Sequence, residues 1–235
     1  VQRLAARLER RFPEAKVLVD HAQFLLPDRL SHEQEILRRV GKASSPRDRA
    51  RVIVVGSQVL EQSLDLDFDL LITELCPMDL LLQRVGRLHR RPRARPAALA
   101  QARCVVLHAR GDLEAGARAV YGDYLLLRTR ELLPETLRLP RDIAPLVRAA
   151  YDLLAPDTAY PDERAKFAME GRVKWQKAGS YCLPAPCEDE FSDTIVGMTD
   201  ASPGFSDSQA RATVRDGNPS VEVMMVRADA QGNAT

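Results

Sequence analysis

Residues 52–58 read VIVVGSQ, residues 61–67 read EQSLDLD, and residues 83–90 read QRVGRLHR. The first run opens with four consecutive β-branched apolar residues, which is typical of a strand buried on both faces. Polar residues follow this strand directly, and polar residues also surround a second apolar stretch, Leu70 to Thr73. Because ligands of open parallel sheets bind beyond the carboxyl ends of the strands, these polar runs are predicted to form a ligand site.

Strands and helices alternate on both sides of this stretch. Two further apolar runs, Val17 to Val19 and Cys104 to Leu107, have the composition of short buried strands. This alternation predicts a parallel sheet covered by helices on both faces. Helices are predicted for residues 1–12, for about a dozen residues that begin with the capping box of Ser31 and Gln34 and end near Gly41, and for residues 79–85.

The pattern changes after Gly111. Three helical segments are predicted in the second half of the chain, at residues 114–133, 141–154 and 162–178. Beyond them, residues 184–216 are rich in Ser, Asp, Gly and Pro and are predicted to form loops, and Ser220 to Val226 alternate like a strand. We expect an α/β lobe at 1–112, a helical connection at 113–180 and part of a C-terminal domain at 181–235.

Composition limits the class of protein. Hydrophobic residues make up 45% of the 235 residues and charged residues 29%, which is an ordinary globular balance. Four scattered cysteines do not suggest a zinc site or a disulfide framework. No apolar run approaches the roughly 18 residues of a membrane helix and no signal peptide is recognisable, so the chain is predicted to be cytoplasmic and not membrane-bound. Val1 falls directly into a helical pattern, which indicates a piece of a longer protein.

Charge is concentrated locally, since the formal net charge is only +1. The acids gather between Asp65 and Glu74, and the arginines crowd one stretch: Arg84, Arg87, Arg90, Arg91, Arg93 and Arg95. Arg84, Arg87 and Arg90 recur every three residues and can face one way on a helical turn, while Gly86 allows close backbone approach. Such a set of guanidinium groups suits a polyphosphate. The alternatives are a solvated helix face for the arginines, and turn capping or pairing with those arginines for Asp65 and Asp67.

The run Gln83 to Arg90 has the form Gln-Arg-x-Gly-Arg-x-x-Arg, the sixth motif of superfamily 2 helicases. Together with Glu61 to Asp69, it resembles the CRISPR-associated helicase-nuclease of type I systems. Tyr121 to Tyr124, Leu126 to Arg130 and Val147 to Asp152 are similar to the same family. The resemblance implies a RecA-like three-layer α/β fold with a parallel sheet, the second helicase lobe, followed by a helical connection and the start of a small C-terminal accessory domain.

The resemblance also implies roles at the nucleotide. Arg87 and Arg90 match arginine fingers, which stabilise the charge that develops on the ATP γ-phosphate. Gln83 matches a residue that contacts the nucleotide or the opposing lobe, and Arg84 is a candidate for the same contact or for a structural role. Asp65 matches the acid that binds the ribose hydroxyls.

Three further positions match residues that contact the phosphate backbone of a tracked strand: Ser57, Gln58 and Arg29. The family has Ala-Thr-Gln where this chain has Gly56-Ser57-Gln58, and serine keeps the hydroxyl that this contact needs. His21 and Arg29 could instead form an ordinary pair at the end of a strand. Cys182 and Cys187 are expected to be incidental thiols.

The implied cofactors are ATP and Mg²⁺, both held mainly by a first lobe. The sequence has no Gly-x-x-x-x-Gly-Lys-Ser/Thr loop, so this piece alone is expected not to hydrolyse ATP. The expected partners are single-stranded DNA, the first RecA-like lobe with a nuclease domain, and an RNA-guided surveillance complex in antiviral defence. The alternatives are a lobe of another superfamily 2 RNA or DNA helicase, and a non-catalytic RecA-like module that binds nucleic acid.

Overall fold

A computed structural model describes residues 1–21, 23–57, 60, 64–153 and 159–179. The chain divides into two compact units, Val1–Ala168 and Met169–Thr235. In the second unit the described residues are 169–179, which are helical. The predicted loops at 184–216, the predicted strand at Ser220 to Val226, and Cys182 and Cys187 lie outside the described residues.

The strands pair in parallel, as the alternation with helices predicts. The first pair joins β1 (Lys16–Asp20) to β2 (Val52–Gly56), in a register that sets Val17 opposite Ile53. The second pair joins β3 (Leu71–Glu74) to β4 (Cys104–Leu107). Over the described residues each pair forms its own two-stranded sheet. The α/β class and the parallel pairing are therefore confirmed.

Helices precede or follow each strand. The predicted start of α2 at Ser31 is wrong: the helix begins five residues earlier, where Pro27 occupies the first turn and Asp28 adds an acidic side chain. The single helix expected at 114–133 is two helices, because Gly122 has a φ of 74° and ends the first of them. The helices are α1 (Gln2–Arg11), α2 (Leu26–Val40), α3 (Pro46–Arg49), α4 (Met78–Val85), α5 (Ala115–Tyr121), α6 (Asp123–Leu132), α7 (Ile143–Tyr151) and α8 (Pro161–Gly179), with a 3₁₀ turn at Ala97–Leu99.

Two buried apolar clusters position the charged segments. In the first, Leu64 and Leu66 pack with Ile36 and Val40 of α2, against partly buried side chains of β1 and β2. This packing fixes the residues that lie between β2 and β3. In the second, the apolar face of α4 packs against β3, β4 and α7. This packing fixes the end of α4, from which the residues 86–95 continue.

The segment that follows the lobe in sequence does not separate from it in space. Ala150 of α7 is fully buried in the cluster that includes Met78 and Leu81 of α4. Tyr151 Oη donates a hydrogen bond of 2.8 Å to Asp79 Oδ1. Residues 113–153 thus share the compact unit of residues 1–112, and the domain boundaries at 112 and 180 stay predictions. Among the described helices, none is long and apolar enough to cross a membrane.

Candidate functional site

The residues that follow α4 turn back onto the segment between β2 and β3. The helix ends at Val85, and Arg87 and Leu88 close a turn through backbone hydrogen bonds to Arg84 and Val85, each of 2.9 Å. Phe68 then pairs with this stretch: its N–H donates to the carbonyl of Arg87 at 2.8 Å, and its carbonyl accepts from the N–H of His89 at 2.9 Å. These bonds bring the arginines of 87–95 next to the acids of 65–69.

Asp65 lies between two arginines. Its Oδ1 is 3.0 Å from Arg90 Nε, and its Oδ2 pairs with a terminal nitrogen of Arg91. The side chains of Asp65 and Arg90 are 41% and 42% exposed, so the ion pair is partly open to solvent, while the Asp65 Oδ1 atom itself is buried. Arg90 is thus held by an ion pair within the chain, and its partner is the acid that the sequence assigns to the same site.

Arg87 is half-buried next to this pair. Burial lowers the pKa of its guanidinium, the nearby charge of Arg90 lowers it further, and Asp65 acts in the opposite direction. Arg87 and Arg90 thus lie close enough for their like charges to repel each other. An anion placed beside Arg87 and Arg90 would relieve this repulsion.

Arg84 points elsewhere. Its terminal nitrogen donates to Thr73 Oγ1 at 2.7 Å and lies 3.4 Å from the carbonyl oxygen of Glu74, at the end of β3. The expectation that Arg84, Arg87 and Arg90 share one helical face is wrong, because α4 ends at Val85 and the later two lie beyond it. Gln83 is exposed on α4.

The predicted strand-contacting residues lie at the end of β1 and β2. The N–H of Ser57 donates to the carbonyl of Asp20 at 3.2 Å, which joins the two strand ends. Arg29 on α2 forms a 2.8 Å ion pair with Glu33, one turn later, rather than a pair with His21. Gln58 lies outside the described residues.

Asp20 itself is the unusual group at this edge. It is 0% exposed, and among the described residues neither of its carboxylate oxygens has a hydrogen-bond partner. Burial raises its pKa, and Glu33 raises it further, while Arg29 lowers it.

The structure also contains an ion-pair network next to Asp65 that the sequence analysis did not predict. Asp67 is fully buried and lies 2.7 Å from both Arg93 and Arg95. Asp69 pairs with Arg95 and, at 2.6 Å, with Arg49 of α3. The sequence does contain a signal for this network, since acids alternate at 65, 67 and 69 and arginines at 91, 93 and 95. Pairing with arginines was the alternative interpretation given above for Asp65 and Asp67.

Within the residues that the structure describes, no group of three or more His, Cys, Asp or Glu side chains could hold a metal ion. The charged groups near Asp65 are dominated by guanidinium donors, which bind oxyanions such as carboxylate and phosphate.

Comparisons with known proteins point to one family. A family model described as CRISPR-associated nuclease/helicase Cas3, C-terminal, matches residues 1–93. The chain is 37% identical to the CRISPR-associated nuclease/helicase Cas3 of Streptococcus thermophilus over 245 residues, covering 98% of this chain and 26% of that protein. It therefore spans about a quarter of the length of this relative.

Solved structures agree with the sequence comparison. The crystal structure of T. fusca Cas3 with ATP matches with a TM-score of 0.66 and 29% identity, over 78% of this chain and 22% of that chain. A chain of a CRISPR RNA-guided surveillance complex in a pre-nicking state matches with a TM-score of 0.67 and 30% identity, over 79% of this chain and 24% of that chain.

Proposed function

This chain belongs to the family of CRISPR-associated nuclease/helicase Cas3 proteins, and we propose that it works as the second RecA-like lobe of an ATP-dependent DNA helicase. The observation that carries the proposal is the meeting of Arg87, Arg90 and Asp65, which come from the segments that follow α4 and β2. Residues from two separate segments, 65–69 and 87–90, build this group, so a helix face alone does not account for it.

The charges of this group fit a nucleotide phosphate. Arg87 and Arg90 repel each other, and burial of Arg87 increases the cost of its charge. A phosphate group brings several negative oxygens in a geometry that guanidinium groups bind well. Arg90 is exposed enough to turn from Asp65 toward such a ligand. The solved T. fusca relative that matches this chain was crystallised with ATP.

Each residue has a separate role in this proposal. ATP supplies the phosphoanhydride bond whose hydrolysis drives movement. Arg87 and Arg90 stabilise the charge that develops on the γ-phosphate, and because they belong to this lobe, they couple hydrolysis to lobe closure. Asp65 orients Arg90 and binds the ribose hydroxyls, since a carboxylate accepts several hydrogen bonds at once. Gln83 contacts the nucleotide or the opposing lobe, and Arg84 supports the end of β3.

Contacts with the nucleic acid are assigned to the other strand pair. Ser57, Gln58 and Arg29 are proposed to contact the phosphates of single-stranded DNA. Ser57 and Arg29 both lie near Asp20, so a strand that crosses the ends of β1 and β2 could meet them together. The Ser57 hydroxyl would donate to a phosphate oxygen, and Arg29 would exchange Glu33 for a second one.

The remaining parts of the proposal concern the whole protein. The first RecA-like lobe holds Mg²⁺ and most of the ATP, and a nuclease domain degrades the unwound DNA. The match to a chain of a surveillance complex supports recruitment by such a complex in antiviral defence. The proposal also includes a cytoplasmic location. The alternative hypotheses are a lobe of an RNA helicase and a non-catalytic RecA-like module.

The test is ATP hydrolysis by the full-length protein. We expect Arg87→Ala and Arg90→Ala each to lower the DNA-stimulated ATPase rate by about a thousandfold, the magnitude typical of arginine fingers, while single-stranded DNA binding is unchanged. A matched control is Arg118→Ala, because Arg118 of α5 forms an exposed 2.7 Å pair with Asp123 of α6, outside the segments 65–69 and 87–95, and its loss should leave turnover unchanged. Unchanged turnover in both finger variants would refute the proposal and favour the non-catalytic module.

A further inference from the structure

We infer that Arg91, Arg93 and Arg95, the arginine rail, are positioning residues that align Asp65 and Arg90 for the nucleotide. The inference rests on the proposed function, and it adds residues outside the Gln83–Arg90 motif. Its basis is the ordered pairing of one alternating arginine segment with one alternating acidic segment.

The pairing runs in sequence order. Arg91 pairs with Asp65, Arg93 with Asp67 at 2.7 Å, and Arg95 with Asp69. Arg95 also donates to Asp67 at 2.7 Å, which links two steps of the series. Isolated exposed pairs contribute little to stability, whereas this series includes a fully buried acid.

Burial along the rail changes steadily from one end to the other. The exposed fraction of the arginine side chain is 5% at Arg95, 16% at Arg93, 28% at Arg91 and 42% at Arg90. A buried arginine that pairs with a buried carboxylate is held firmly, because separating the two leaves an uncompensated charge. The rail is therefore held most firmly at Arg95, its inner end, and Arg90, which follows its outer end at Arg91, is the most exposed of the four arginines.

The inner end is also attached to the fold. Arg93 donates to the carbonyl and hydroxyl oxygens of Ser44, each at 3.1 Å, and the N–H of Asp67 donates to the carbonyl of Val40 at 2.9 Å. These contacts join the rail to the end of α2, which packs in the first apolar cluster. Arg49 adds a 2.6 Å pair with Asp69.

Arg91 is the residue of the rail that contacts the candidate nucleotide site. Its guanidinium pairs with Asp65 Oδ2, and Arg90 lies 3.0 Å from the other oxygen of the same carboxylate. When Arg90 turns to a phosphate, Arg91 keeps the charge of Asp65 compensated and holds the carboxylate in place. Arg91 thus acts on the nucleotide only through Asp65 and Arg90.

The variants Arg91→Gln and Arg91→Lys, each made in the full-length protein, test the inference. We expect Arg91→Gln to lower kcat/KM for ATP by about tenfold, since a small misplacement of an aligned group has effects of this size or more. Arg91→Lys should recover most of this loss, because lysine keeps the charge next to Asp65. The thermal midpoint of both variants should match that of the control Arg118→Gln, which also removes an arginine from an arginine–aspartate ion pair.

A double-mutant cycle separates positioning from general stability. In an Asp65→Asn background, Arg91→Gln should change kcat/KM by less than about twofold, because residues that act as a unit are not additive. The inference is overturned if Arg91→Gln has no effect, if its effect is the same with Asn at position 65, or if it tracks a fall in the thermal midpoint. Loss of turnover in Arg87→Ala together with normal turnover in Arg91→Gln would remove the rail inference and leave the proposed function intact.

Discussion

Asp67 and Asp20 are both 0% exposed, and each follows or ends an apolar stretch of the same α/β lobe. Asp67 lies 2.7 Å from two arginines, Arg93 and Arg95. Asp20 has no hydrogen-bond partner among the described residues, and burial raises its pKa. The two carboxylates are thus equally buried, but one is ion-paired with arginines and the other has no such pair among the described residues.

The difference teaches how this lobe uses charge. A buried carboxylate that pairs with arginines fixes the position of those arginines. This arrangement costs the free energy of desolvating the carboxylate and the guanidinium groups. A buried carboxylate without a partner fixes nothing and favours its neutral form. Residues around Asp67 therefore belong to a charged framework held by ion pairs, whereas burial and the charge of Glu33 favour the neutral form of Asp20.

Removing the carboxylate of Asp67 should have the largest effect. We expect Asp67→Ala to lower the free energy of local opening by about 3–5 kcal/mol, because the buried Arg93 would lose this counter-ion and Arg95 would keep only its pair with Asp69. Hydrogen exchange of amides in residues 64–69 and 88–95 of the full-length protein measures this quantity. The control Asp123→Ala breaks an exposed pair with Arg118 and should cost less than about 1 kcal/mol. Equal effects of the two substitutions would contradict the comparison.

Asp20→Asn should have a smaller effect of the opposite sign. Because the pKa of Asp20 is raised in the folded state, its contribution to stability is greatest at low pH and is lost as pH rises from its ordinary value of 3.8 through the raised one. Asparagine does not ionise and avoids this loss. We expect the variant to be more stable than the wild type at about pH 7, by no more than about 1 kcal/mol, with a difference that shrinks toward acid pH.

Thermal unfolding of the full-length protein at several pH values checks this second prediction. The matched control is Asp28→Asn, since Asp28 is an exposed aspartate on α2. A variant at position 20 that is less stable than the wild type near neutral pH, or whose difference does not depend on pH, would show that Asp20 is charged and partnered in the native protein.

The sequence predicted the elements that depend on local patterns. All four described strands lie within one residue of their predicted bounds, because runs such as Val52 to Val55 are apolar and β-branched. The predicted start of α2 was wrong because Ser31 and Gln34 form a capping pattern inside a helix that begins before them. Gly122 divides one predicted helix in two, because its φ is positive, and the apolar periodicity of the sequence does not reveal the φ of a glycine.

The candidate site shows where sequence reasoning stops. The motif places Arg84, Arg87 and Arg90 at equal spacing, but the helix ends between the first and the second of them, and tertiary contacts decide where each points. The rail was visible as alternating charges, yet which arginine meets which acid depends on two segments more than twenty residues apart. Long-range pairing of this kind has no local signal.

The central claim is that Arg90 moves from Asp65 to the nucleotide while Arg91 stays on Asp65. A structure of the full-length protein with a non-hydrolysable ATP analogue and Mg²⁺ tests it most directly. The account predicts that Arg90 lies within about 3 Å of a γ-phosphate oxygen, with Arg91 still paired to Asp65. An analogue bound between the lobes while Arg90 remains on Asp65, away from the phosphates, would contradict the account.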